Sequence, residues 1–122
     1  MVIDDSNTIR RSAEIFLLQV GCEVILAVDG FDALTKIATK HPDIIFCDIM
    51  MPRLDGYQTC SIIKKNAVFR DTPVIMLSSK DGLFDRARGR LVGSNEYLTK
   101  PFTKDTLLQT VAEFISRPAN VQ

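Results

Sequence analysis

The chain has no tryptophan, one histidine, three cysteines and no excess of either charge. Fifteen basic residues balance fifteen acidic ones, so no overall field draws it to nucleic acid or to an anionic membrane surface. Cys22, Cys47 and Cys60 are odd in number and show no CxxC spacing. They fit neither a disulfide framework nor a zinc site, and read as small apolar side chains in a reducing compartment. No apolar run approaches the ~20 residues of a membrane span, because the longer candidates are cut at Gly21, Asp48 or Lys64. The opening Met1-Val2-Ile3-Asp4-Asp5 has neither the basic nor the apolar region of a secretory signal. The expectation is a cytoplasmic protein with no membrane insertion and no direct contact with nucleic acid.

At 122 residues, 46% hydrophobic and 25% charged, the chain is one domain's worth of ordinary globular composition. Apolar runs recur at 1–3, 24–28, 44–47, 74–77 and, more weakly, 97–98. They do not alternate polar with apolar, as expected of parallel strands buried on both faces. Segments of helical period lie between them. Ile9, Ala13, Phe16, Leu17 and Val20 form one stripe; Phe31, Leu34 and Ala38 form another. A third consists of Leu107, Thr110 and Phe114, with Leu108, Val111 and Ile115 beside them. Ser6 or Asn7 is expected to cap the first helix and Gly21 to end it; Asp55 caps the third and Thr103 the last. The order βαβαβαβαβα with right-handed crossovers gives an α/β doubly wound sheet with helices on both faces. The domain is expected to span 1–117, leaving 118–122 as a tail.

Ligands of such a sheet bind beyond the carboxyl ends of its strands. Asp4 and Asp5 follow the first run, Asp48 the third, Ser78 and Ser79 the fourth, and Lys100-Pro101 the fifth. An Asp-Asp-Ser run alone is more often a helix cap. Asp48, however, directly ends Ile44-Ile45-Phe46-Cys47 and should be largely buried, and buried charge needs a partner. Lys100 supplies one positive charge. A hard divalent cation with oxygen ligands, Mg²⁺ best, would supply the rest. His41, before Pro42, reads as a surface residue without a catalytic part. Arg86, Arg88 and Arg90, with Lys80 upstream, read as a solvated helix face or, less economically, as a docking patch for an acidic partner.

Asp4-Asp5, the stretch Asp48-Ile49-Met50-Met51-Pro52-Arg53-Leu54-Asp55-Gly56, Ser78-Ser79, Tyr97 and Lys100-Pro101-Phe102 resemble the receiver domain of CheY-like two-component response regulators. The resemblance covers essentially the whole chain. It implies a flavodoxin-like sheet of five strands, order 2-1-3-4-5, with five helices. It implies Asp48 as phosphoacceptor, with Ser78 and Lys100 contacting the phosphoryl group. Mg²⁺ would be held by Asp5, Asp48 and the backbone carbonyl of Met50, with Asp4 acting through water. Ser78 and Tyr97 would form the switch, and the Lys100-Pro101 peptide would be cis. The only catalysis implied is Mg²⁺-dependent self-phosphorylation and autodephosphorylation.

Within the family the resemblance is strongest to regulators of type IV pilus twitching motility, through 8–11, 29–34, 48–60 and 78–85. The implied partners are a chemotaxis-type histidine kinase with phosphotransfer domains, and the pilus extension machinery or its regulators. The latter would dock on the fourth helix, fifth strand and fifth helix, where Gly82 and Gly89 make the fourth helix adaptable. Two alternatives within the family are a receiver excised from a larger, DNA-binding regulator and a sister receiver acting as a phosphate sink. An aspartate-nucleophile phosphatase would need a second acid where Met50 stands. A flavin binder would place three carboxylates against a phosphate. Met50 also replaces a polar residue of many chemotaxis receivers. The first strand, starting three residues before Asp4, should be unusually short and poor in backbone pairs, with a trimmed start or local disorder.

Overall fold

Every strand runs parallel to its neighbours, and the sheet order is β2-β1-β3-β4-β5. The strands are β1 (Val2–Ile3), β2 (Leu26–Ala27), β3 (Ile45–Asp48), β4 (Val74–Ser78) and β5 (Glu96–Thr99). The helices are α1 (Asn7–Leu18), α2 (Gly30–Lys40), α3 (Gly56–Lys65), α4 (Leu83–Leu91) and α5 (Lys104–Ile115). The structure, a computed structural model, describes residues 1–79 and 83–115. Lys80, Gly82 and the expected tail 118–122 lie outside the described residues.

The strands read as continuous apolar runs because both faces of the sheet are covered. Val2, Phe46, Ile75, Leu77 and Leu98 face Ala13 and Leu17 of α1 and Leu107 and Val111 of α5. Ile3, Ala27, Ile45, Cys47, Val74 and Met76 pack on the other side with Ala33 and Ile37 of α2 and Tyr57, Cys60 and Ile63 of α3. Cys47 and Cys60 are buried and Cys22 is half-buried, all three as free thiols. Burial pushes the Cys60 thiol up to about 11, so it serves the core as a small apolar side chain.

Ser6 accepts the Ile9 N–H and caps α1. Asp55 forms a capping box with Gln58 at the start of α3, and the Thr103 hydroxyl accepts from the Thr106 N–H. Gly21, with φ at +84°, turns the chain after α1.

Two expectations, for α2 and for the first strand, need correction, and that for Gly89 gains a second cause. The inward stripe of α2 is Gly30, Ala33 and Ile37, while Phe31 is 48% exposed and Ala38 is also exposed. The stripe starts at a glycine because a Cβ there would lie 2.3 Å from the Thr59 hydroxyl; α2 meets α3 too closely for a side chain, and Phe31 is turned outward. Gly89 is buried, and its Cβ would lie 2.9 Å from the Ser94 hydroxyl, so it permits close packing besides weakening the helix. The first strand is short but well paired. Val2 donates to Ile25 O at 2.8 Å, Asp4 to Ala27 O at 3.2 Å, and Phe46 to Met1 O at 2.8 Å, so β1 joins the sheet on both sides.

Candidate functional site

Register puts the acids at one rim. Ile3 pairs with Cys47 and Asp48 with Leu77, so Asp4, Asp48 and Ser78 emerge at the same end of three adjacent strands. Asp4 is fully buried and Asp48 2% exposed, whereas Asp5 is exposed. Each of the three offers a carboxylate oxygen within 4.8 Å of the others. At an effective dielectric of about 20, two unit charges at that distance repel by about 3 kcal/mol. Lys100 opposes this: its ammonium donates to Asp48 Oδ1 at 2.9 Å and to Asp4 Oδ2 at 3.2 Å.

Backbone contacts hold these groups in place. The Lys100 N–H donates to Ser78 O at 2.6 Å, and the Lys100–Pro101 peptide is cis. Asp4 Oδ1 accepts the Ser6 N–H at 2.9 Å, and its carbonyl accepts Arg10 Nη1 at 2.6 Å. Beyond β3, Ile49 donates to Leu77 O and Gly56 donates to Ile49 O, which closes the loop carrying Met50. The Met50 side chain is 70% exposed. Arg53, at φ +69°, ties this loop to Asp29 with a 2.7 Å ion pair.

The charges shift as the geometry requires. Burial pushes the Asp48 carboxyl up to about 6, the Lys100 hydrogen bond opposes it, and the neighbouring Asp4 reinforces it. Burial also works against the Lys100 charge, but its bonds to Asp48 and Asp4 and their fields win, leaving its pKa raised. Because the folded Asp48 carboxyl binds its proton more tightly than the ordinary value of 3.8, ionised Asp48 costs stability as pH rises from about 4 through 6. In chelator, the thermal midpoint of Asp48→Asn relative to wild type should therefore climb across that window and level off above it. A constant difference from pH 4 to 7.5 would contradict this.

Ser78 is buried at the end of β4. Tyr97 is 7% exposed, more enclosed than a half-buried strand aromatic, and among the described residues its hydroxyl has no partner. Of the arginines of α4, Arg88 and Arg90 are exposed, as a solvated face requires, and Arg86 is half-buried; two of them also lie over aromatic rings. The Arg86 guanidinium lies 4.5 Å from the Tyr97 ring centroid and that of Arg88 lies 4.4 Å from Tyr57. Their register (two residues apart on a helix) sends them to opposite sides of α4, where each meets an aromatic face. His41 is exposed, beside Phe69 at a 5.5 Å ring separation, and no contact links it to the acids.

A cleft of about 550 Å³ opens over the rim, lined by Asp5, Met50, Tyr57, Ser78, Asp85 and Arg88 among others. Tyr57 and Asp85 escape sequence reasoning, and Arg88 enters it only with the other arginines of α4, not as a wall of this cleft. Tyr57 follows Gly56 at the start of a helix, where nothing in periodicity separates a cleft wall from a core aromatic.

The model of the response regulator receiver domain matches residues 1–112. This chain belongs to that family. It is 71% identical over 111 residues to protein PilG of Pseudomonas aeruginosa, covering 91% of this chain and 82% of that protein. It is 38% identical to the probable transcriptional regulator ycf27 of Cyanophora paradoxa, covering 98% of this chain but 49% of that one, so it spans about half the length of such relatives. Among solved structures, the chemotaxis protein CheY4 of Vibrio cholerae superposes with a TM-score of 0.90 at 32% identity, covering 93% of this chain and 95% of that one. The expected flavodoxin-like order 2-1-3-4-5 is therefore the receiver fold.

Receiver domains are signalling domains rather than enzymes in general, and a receiver implies a histidine kinase and a downstream effector. They typically bind Mg²⁺ at an acidic pocket. The cluster here fits: three hard oxygen donors within 4.8 Å against one ammonium leave a net negative site suited to a small divalent cation. Among the described residues no helix is long and apolar enough to cross a membrane.

Proposed function

We propose that this receiver is a cytoplasmic switch phosphorylated on Asp48 by a chemotaxis-type histidine kinase through phosphotransfer domains, and that it controls type IV pilus twitching motility. The receiver core would be 1–117. The observation that carries the Asp48 assignment is the convergence of Lys100 on Asp48 and Asp4. The pilus role rests on the 71% identity to PilG.

An Asp48 carboxylate oxygen attacks phosphorus, the bond from phosphorus to the donor breaks, and the leaving group departs with its electron pair, giving an acyl phosphate. Asp5, Asp48 and the Met50 carbonyl would hold Mg²⁺, with Asp4 acting through water. The ion supplies charge neutralisation for the phosphoryl oxygens. Lys100 moves from carboxylate to phosphoryl oxygen and holds it. Ser78 donates its hydroxyl to another, and the loop beyond it closes toward the site. The incoming group adds roughly −1.5 to −2 charges. That change reweights two pre-existing states of α4, β5 and α5. In this reading Tyr97 and the Arg86 laid over it report the shift to the pilus extension machinery or its regulators.

Intact-mass labelling with Mg²⁺ and acetyl phosphate tests the site. The wild type should gain one phosphoryl group, and Asp48→Asn none; equal labelling of the variant would refute the assignment. Pull-down with the fluoroberyllate-activated protein should retain pilus components, and retention of flagellar or transcriptional partners instead would refute the output.

A further inference from the structure

The cleft over Asp48 presents an incoming phosphodonor with an electrostatic problem. Among its described lining residues, Asp5, Asp55 and Asp85 are acidic and Arg88 is the only base. Phosphodonors are themselves anions, and with Mg²⁺ taking up the charge of Asp5 the mouth still presents Asp55 and Asp85, which repel them. Lys100 does not relieve this at the entrance. Its ammonium is committed to Asp48 and Asp4, and its side chain is only 15% exposed.

Arg88, by contrast, is exposed and held in a defined place. Its guanidinium carbon lies 4.4 Å from the Tyr57 ring centroid. The Tyr57 ring is buried, and its hydroxyl donates to the carbonyl and the carboxylate of Asp85, each at 3.3 Å. The ring therefore cannot swing without breaking its ties to the first turns of α4. A guanidinium held over a ring by its carbon leaves its fork of N–H donors free for a phosphate or carboxylate.

We propose that Arg88, positioned by Tyr57, is the cation that captures anionic phosphodonors at the mouth of the cleft, and so helps determine which donors the receiver accepts. The proposal rests on Asp48 as phosphoacceptor. Arg88 forms no bond to phosphorus and moves no proton; it raises the productive occupancy of the cleft. Tyr57 acts through Arg88 as a positioning residue.

The test compares labelling efficiency, kcat/KM, for wild type, Arg88→Gln and Arg88→Lys in saturating Mg²⁺, using two small donors. Acetyl phosphate is a dianion near neutral pH, whereas phosphoramidate carries a protonated nitrogen and a smaller net charge. Arg88→Gln should lose roughly three- to ten-fold with acetyl phosphate and less than about two-fold with phosphoramidate. Arg88→Lys should recover much of the loss, and added salt should slow the wild type more than Arg88→Gln. Equal loss with both donors, or none with either, would overturn the proposal and leave Arg88 as a strap on Tyr57. Failure of wild type to label at all would instead remove the reading of Asp48 on which the proposal stands. Thermal melts of each variant distinguish altered capture from altered folding.

Discussion

Lys100→Met should destabilise the metal-free protein by about 3–5 kcal/mol near pH 7.5, the cost of breaking a buried ion pair by removing one partner. With Lys100 in place the side chains of Asp4 and Asp48 are 0% and 3% exposed, so the methionine leaves two enclosed carboxylates without their ammonium. The deficit should shrink in acid, because protonation of Asp48, whose pKa burial raises to about 6, removes charge that Lys100 neutralised. It should also shrink when Mg²⁺ is added, since a site without the competing ammonium is more negative and binds the cation more tightly, so mass action stabilises the variant more than the wild type. Urea titrations in chelator, in Mg²⁺ and at pH 5 measure all three conditions. A variant as stable as wild type in chelator would mean that the observed bonds of 2.9 and 3.2 Å contribute nothing. If Lys100 also transmits the signal, the variant should still label on Asp48 while the Tyr97 environment stays unchanged.

Gly56→Ala is the second large effect. An added Cβ would lie 2.3 Å from the carbonyl oxygen of Asp48 and 2.7 Å from the Ile49 Cα. Both are backbone atoms, and they belong to the candidate phosphoacceptor and its neighbour. Relief requires moving either the end of β3 or the start of α3, which the Gly56 N–H to Ile49 O bond of 2.9 Å holds together. Overpacking of this kind costs about 3 kcal/mol, or a fall in Tm of about 10 °C for a domain of this size. Displacement of Asp48 should also slow labelling by about ten-fold or more, since catalytic geometry tolerates little misplacement. Gly21→Ala is the control: it has φ +84° but nothing within 4 Å of the added atom, so it should cost only about 1 kcal/mol and leave labelling intact. Gly56 is not among the glycines with positive φ, so equal effects of the two substitutions would refute the contact with Asp48 as the reason for a glycine there.

Local chemistry alone made much of this molecule legible. The apolar runs located all five strands, because a strand covered on both faces must be apolar throughout. Ser6, Asp55 and Thr103 marked helix starts, because orphan N–H groups need side-chain acceptors close in sequence. The polar residues ending those runs marked the rim, and Asp48 in particular stood out as a charge where burial was unavoidable. Failures occurred where elements meet. The stripe chosen for α2 included Phe31, which is outside, because the inward face was set by the approach of Thr59 on α3. The ring contacts of Arg86 and Arg88 on α4 are not legible in the sequence, because their aromatic partners Tyr97 and Tyr57 lie 11 and 31 residues away.

By itself, then, the order of residues determined the alternation of strands and helices, the strand ends at which chemistry gathers, and the acids that must share a counterion. Only the tertiary structure decided that Lys100 reaches two of those acids across 52 and 96 residues of chain, that Gly56 leaves room for the carbonyl of Asp48, and that Tyr57 and Arg88 wall the cleft. Periodicity and capping act within a few residues, whereas charge pairing and close packing depend on distances that exist only after the sheet has assembled.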